Sequence, residues 1–234
     1  MDDEKTINSR QKVIRIWNKK PSLQKVLLLA GITILLIAGF LTLLRYNATH
    51  GTPVLPNPSL TISSGSDQPD ETKPSNVAQS EYTVPTDQPR RISIKSVGID
   101  GLIQRVGLTK DNVMAVPSNV YFAGWYVNSV LPGKPGLSII NGHVSGVYKD
   151  GVFKQMQKVK ANDAVEIEFG DRSSKKFIVV ETKALPAKQS AQDLFTPHEG
   201  ITSQLNLVTC DGKFDTTTQS YENRIIVTTK LVDY

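Results

Sequence analysis

From Arg90 to Tyr234 the chain is a succession of short apolar, β-branched runs, each ended by glycine, proline or polar residues. Nine runs follow this pattern: Arg91–Ile94, Leu102–Val106, Val113–Val116, Phe122–Tyr126, Leu137–His143, Ala164–Phe169, Lys176–Thr182, Leu205–Cys210 and Ile225–Leu231. Segments of this length between turn residues read as strands, and a series of them closes into a barrel or stacks as a sandwich. Helical periodicity is scarce, with one turn at Val152–Gln157 and another at Ser190–Phe195. The expectation is an all-β domain with a few short helices, on about 145 residues, enough for one core. Glu181–Gln204 is the longest stretch between clear strands, the kind of loop that carries function on a rigid scaffold.

The segment before this domain has a different composition. Residues 1–25 are polar and basic, and Val26–Leu44 follows with 19 residues free of charge. In a helix that run spans about 28 Å, close to the hydrocarbon thickness of a bilayer. It reads as a transmembrane signal anchor with residues 1–25 left in the cytoplasm, because the positive charge precedes it. A cleaved signal peptide is the rival, but Leu43-Leu44-Arg45-Tyr46 lacks the small residues of a cleavage site. Residues 45–89 are rich in Pro, Ser, Thr, Asn and Asp without apolar periodicity, and are expected to form a disordered extracellular stalk. The domain 90–234 then lies outside the membrane.

The net charge of +5 is divided among these parts. Residues 1–45 have eight basic and three acidic side chains, residues 46–89 one and five, and residues 90–234 eighteen and fourteen. Neither basic part is a dense Lys/Arg stripe with interleaved aromatics, so nucleic acid is not an expected partner. The single cysteine excludes an internal disulfide and a cysteine-based zinc site. No acidic cluster stands out as a calcium site, and neither a metal nor a cofactor is expected.

Leu205–Cys210 delivers that cysteine to the end of an apolar run, where the pattern stops at Asp211-Gly212. Arg224 opens the next β-rich run. If the two runs pair as antiparallel neighbours, Cys210 and Arg224 meet at one rim although 14 positions separate them. A thiol beside a guanidinium suggests a nucleophile and an anion stabiliser. Leu137–His143 repeats the design, with an imidazole after Asn141-Gly142. His50 falls in the stalk and His198 in a loop, so His143 alone is held by a strand. Histidine raises the thiolate fraction of a cysteine and returns the proton to a leaving amine near neutral pH. The bland alternatives are a buried apolar cysteine, a turn histidine and a solvated edge arginine.

Asn141-Gly142-His143-Val144, then Leu207-Val208-Thr209-Cys210 and Arg224, resemble the sortase family of membrane-anchored cysteine transpeptidases. The family's nucleophile box is T-L-x-T-C, and here Asn206 replaces the first Thr. Gly124-Trp125-Tyr126, Pro132–Gly136, Gly151-Val152-Phe153 and Thr209–Asp215 look most like class F, with class D or E as neighbours. The resemblance covers about residues 90–234. It implies a closed eight-stranded β-barrel, which makes one of the nine runs a loop.

It also implies roles. Cys210 is the nucleophile that attacks the Thr–Gly carbonyl of an LPxTG-like sorting signal, His143 the general acid/base, and Arg224 the stabiliser of the carbonyl or oxyanion. Thr209 is assigned to the bound peptide, with packing as its alternative. The partners are surface proteins with a C-terminal sorting signal and an amine of a peptidoglycan precursor or pilin. An L,D-transpeptidase is a second thiol enzyme of the wall, but its Ser-His-Gly context is not seen around Cys210. An inactive anchored barrel that binds wall or surface proteins is the third reading. The enzyme readings imply a Cys210 of depressed pKa that alkylates fast below neutral pH.

Overall fold

In β1, Pro89–Ile94, alternation sets the inside: Ile92 and Ile94 are fully buried while Arg91 and Ser93 stay partly open. The structure, a computed structural model, describes residues 68–218 and 220–232. The remaining strands are β2 Ile99–Val106, β3 Phe122–Tyr126, β4 Gly136–Gly142, β5 Ala164–Phe169, β6 Ser174–Pro186, β7 Ser203–Asp215 and β8 Ser220–Leu231. Two short helices accompany them, α1 at Asn76–Glu81 and α2 at Ser190–Phe195.

The strands close into a barrel in the order β1-β2-β3-β4-β7-β8-β6-β5, so the choice between barrel and sandwich falls to the barrel. The pairs β2/β3 and β4/β7 are parallel and the other pairs antiparallel. Ile92, Ile94, Ile140, Val165, Ile167, Phe177, Leu205, Leu207 and Val227 fill the interior with Phe153 and Met156. Burying each such side chain stabilises the fold by roughly 1.5–3 kcal/mol.

A second, smaller apolar cluster joins Ile139, Val208 and Ile226 to Leu194 of α2. These residues alternate with core residues on β4, β7 and β8, so they lie on the outer face, and α2 covers it there. Both faces of the sheet are therefore dry in this sector, which is why Gln204–Thr209 is buried without a break.

Eight of the nine expected strands are present. Val113–Val116 is a loop with one isolated bridge, Leu108↔Met114, and Val113 and Val116 are 61% and 50% exposed. Asn112, at φ 57°, turns the chain just before it, and Pro117 withholds a ladder donor just after. A second difference concerns β7 and β8. They continue beyond a bulge to the pairs Phe214↔Tyr221 and Asp215↔Ser220, so Cys210 lies within a ladder and not at its end. The polar residues there break apolar alternation, but the backbone pairing persists, supported by an edge contact of Phe214 on Tyr221.

The basic N-terminus 1–25, the expected membrane span 26–44 and the stalk as far as residue 67 lie outside the described residues. Among the described residues, no helix is long and apolar enough to cross a membrane. The part of the expected stalk within the described residues, Gln68–Pro89, is structured and not disordered. Ser75 caps α1 by accepting from the Ala78 amide, and Tyr82 donates to the Ile103 carbonyl. The buried Arg90 guanidinium donates to the carbonyls of Gln79 and Tyr82 and to Glu168. Polar groups thus dock this segment on the barrel, which a composition that lacks apolar periodicity does not reveal.

Candidate active site

Alternation on three adjacent strands brings the site together. Val208 and Ile226 belong to the outer cluster, so Cys210, two residues after Val208, and Arg224, two before Ile226, share that outer face. They are also direct partners across the β7/β8 ladder. On β4, Ile139 is an outer residue, and Asn141 and the position of His143 follow it at intervals of two. Asn141 pairs with Val208 in the parallel β4/β7 ladder. His143 follows directly after Gly142, the last residue of β4. The ladders thus put Cys210 and Arg224 on one face, with His143 just past the end of the strand paired with β7.

Thr209 braces the two strands. Its hydroxyl, buried at 4% exposure, donates to the Gly142 carbonyl at 2.8 Å. Its single donor hydrogen is used next to Cys210 on one strand and His143 on the other, which fits the packing alternative, although the residue also lines the groove described below. Gly142 admits the neighbouring segment closely: a Cβ there would meet Phe153 at 2.6 Å. At Gly151 a Cβ would collide with the His143 carbonyl. The Asn-Gly-His and Gly-Val-Phe motifs are thus two sides of one contact.

His143 is half-buried, and its Nε2 lies 2.8 Å from the Pro117 carbonyl. A carbonyl can only accept, so Nε2 carries the hydrogen and Nδ1 is the nitrogen left for chemistry. Burial lowers the imidazole pKa below its ordinary 6.5, and the Pro117 bond opposes this. Burial also pushes the Cys210 thiol above its ordinary 9.0, while the Arg224 charge acts in the opposite direction. At the thiol desolvation outweighs the cation, so the shifts at Cys210 and His143 each favour the uncharged form, opposite to a depressed thiol pKa.

Arg224 donates through Nη1 to the carbonyls of Tyr221 and Asn223 and through Nη2 to the Ser220 hydroxyl. Those bonds fix the fork to its own strand and leave part of its five-donor capacity for a ligand. His198 is elsewhere, exposed, with Nδ1 against the Glu199 carbonyl. Among the described residues, no group of three His, Cys, Asp or Glu side chains is placed to hold a metal ion.

Cys210 and Arg224 line a groove of about 490 Å³. Its walls are the loop Leu108–Val116, Tyr126 of β3 and Ser190, Ala191, Leu194 and Phe195 of α2. The lining is mainly apolar with a few polar groups among it, the composition of a ligand site. The sequence points to Glu181–Gln204 as a functional segment, and α2 lies there. It does not reveal the Leu108–Val116 wall, where β-branched residues mimic a strand, or the Pro117 carbonyl, which no local pattern distinguishes.

Asn206 acquires a structural account here. Its Nδ2 donates to the Leu194 carbonyl at 2.9 Å, and its Oδ1 accepts from Gln204. The residue that departs from the nucleophile box therefore ties the end of α2 to β7.

The domain model named Sortase domain matches residues 92–232. No match was found among curated proteins. Among solved structures, the lid mutant of sortase A from Corynebacterium diphtheriae is 20% identical at a TM-score of 0.48, over 66% of this chain and 74% of that one. The complex of Streptococcus agalactiae sortase C1 and MTSET is 20% identical at a TM-score of 0.49, over 65% and 70%. The Clostridium perfringens sortase D5 transpeptidase is 20% identical at 0.47, over 69% and 91%. With the family domain spanning more than half of its length, across the barrel that carries Cys210, this chain belongs to the sortase family of cysteine transpeptidases.

Proposed function

We propose that the protein is a membrane-anchored sortase, most like class F, that cleaves an LPxTG-like signal between Thr and Gly and joins the new end to an amine. The observation that carries this reading is the cross-strand pair of Cys210 and Arg224 lining an apolar groove, with His143 directly after β4, the strand paired with β7. The uncharged run 26–44 with its basic flank supports an anchor whose catalytic domain is extracellular.

In the reactive form of the pair, the proton moves from Cys210 Sγ to His143 Nδ1. The thiolate attacks the Thr carbonyl carbon, a C–S bond forms, and the Arg224 guanidinium holds the oxyanion. Collapse breaks the C–N bond, and His143 Nδ1 gives its proton to the departing Gly amine. An incoming amine then attacks the thioester and loses a proton to the same nitrogen. Its C–N bond replaces the C–S bond and the thiolate is regenerated. The groove, with its mainly apolar lining, suits the apolar residue at the front of such a signal. The acceptor is the amine of a wall precursor or a pilin.

The test is to mix the full chain in detergent with an LPxTG-type peptide, with and without a small amine, and follow protein and peptide by mass spectrometry. A thioacyl adduct on Cys210, cleavage after Thr and an amine-linked product are expected. A Cys210→Ala variant that still cleaves the peptide would remove the proposal, and a wild-type chain that forms no adduct with any sorting peptide would favour an inactive barrel.

A further inference from the structure

Two consecutive residues ahead of the barrel hold the two segments that flank His143. The Asp70 amide donates to the Ser118 carbonyl at 2.7 Å, and the Asp70 carbonyl accepts from Val120 at 2.9 Å. This makes a short parallel bridge between Asp70 and Asn119. The buried Asn119 side chain completes it, donating to Asp70 Oδ2 at 3.0 Å and to the Thr72 carbonyl at 2.9 Å. Pro117, whose carbonyl receives His143 Nε2, is two residues before Asn119.

Glu71 takes hold of the other side. Its carboxylate accepts from the amides of Val147 and Tyr148, in the loop that leaves directly from His143. Gly146 makes room for this, since a Cβ there would press on the Glu71 carboxyl carbon at 2.7 Å. Within the same loop the Gly151 amide bonds Val144, and the Phe153 amide bonds the His143 carbonyl. One face of the strap therefore fixes the acceptor of the imidazole, and the other fixes the chain that carries it.

We propose that Asp70–Thr72 is a positioning strap for the imidazole of His143, with Glu71 as its principal residue. The proposal rests on His143 being the acid/base. The strap keeps the Pro117 carbonyl and the His143 backbone at a constant separation, so the ring stays in the Nε2–H tautomer and Nδ1 is left without that hydrogen. Because the Glu71 bonds are open to solvent, their loss loosens the loop locally while the barrel persists. Misplacing a catalytic group by about 1 Å costs on the order of 100-fold in rate, so a modest loosening has a measurable effect.

The experiment compares full-length wild type with Glu71→Ala, Glu71→Gln and His143→Ala. It measures kcat and KM for peptide-to-amine transfer and the imidazole nitrogen spectrum of His143 in ¹⁵N-histidine-labelled protein. For Glu71→Ala, kcat is expected to fall about 10-fold or more with KM near wild type, and the Nε2–H signature gives way to an averaged one. Glu71→Gln keeps an acceptor oxygen and the side-chain shape, and is expected between wild type and Ala in both readouts. It decides the question alone if the Ala variant does not fold. Wild-type kcat together with an unchanged His143 signature in the Glu71 variants overturns the strap. So does a loss of kcat that leaves the signature unchanged. An active His143→Ala overturns the acid/base reading itself, and the strap is then judged by the nitrogen spectrum alone.

Discussion

Cys210 and Arg224 stand opposite each other as register partners of β7 and β8 on the outer face of the barrel. Among the described residues, the guanidinium is the charge that counteracts the burial of the thiol. Replacing Arg224 by Ala is expected to move the Cys210 titration further up and to reduce kcat about 10²- to 10³-fold, as the loss of an oxyanion donor does. Lysine at the same position should recover part of the thiol shift but little of kcat, because a point charge does not reproduce the fork. Alkylation rate against pH, measured beside transfer kinetics, separates the two effects.

The pH dependence follows from the two opposed shifts. His143 sits below its ordinary 6.5 and Cys210 above its ordinary 9.0, both through burial. Between those limits the pair holds one proton, and the thiolate–imidazolium arrangement is a small, constant fraction of it. The rate kcat/KM should therefore form a broad plateau, with its acid limb below 6.5 and its alkaline limb above 9.0. Alkylation of Cys210 should be slow at neutral pH and climb beyond 9.0, and a fast plateau below neutral would contradict this.

Stability carries the same signs. The unfolded imidazole binds its proton near 6.5, while the folded one resists, so protection is lost as pH falls below about that value. The unfolded thiol ionises near 9.0, before the folded one, so protection is lost again as pH rises past it. A melting-temperature profile with Cys210→Ala should lose the alkaline part of that dependence and keep the acid part.

Gly151 packs on the backbone of His143 with no room for a methyl group. Gly151→Ala is expected to displace His143 and lower kcat about 10-fold or more, with KM changed little and a moderate fall in melting temperature. Equal transfer kinetics in wild type and variant would show that the contact does not set the imidazole.

Asn206 ties α2 to β7, the strand that carries Cys210. Asn206→Ala leaves the Leu194 carbonyl without that donor and is expected to cost about 1–3 kcal/mol of stability. The groove wall loosens, so KM should rise several-fold while kcat stays close to wild type. Denaturant titration and peptide kinetics check both parts.

Much of the site is legible in the order of the residues. Strand alternation puts Cys210 and Arg224 on neighbouring runs, and His143 is the one histidine that ends an apolar run, although the strand itself stops at Gly142. The same pattern misleads where polarity stands in for disorder. Gln68–Gln88 has no apolar period, yet Arg90 and Asn119 satisfy its carbonyls, and a polar segment docked by hydrogen bonds leaves no hydrophobic pattern. Val113–Val116 misleads in the opposite way, because its β-branched residues serve as the wall of a groove and have no partner strand among the described residues.

Local order alone determined most of the strands, the place of the single cysteine and the positions of the small residues, because period-two burial and turn chemistry act over a few neighbouring positions. Tertiary structure alone decided that β4 lies parallel to β7, that Pro117 holds the imidazole and that Asp70–Thr72 reaches both flanks of His143. It also decided the direction in which Cys210 and His143 titrate. Each of these depends on groups far apart in the chain or on the water excluded when they meet, and desolvation belongs to the assembled site and not to any residue's neighbours in sequence.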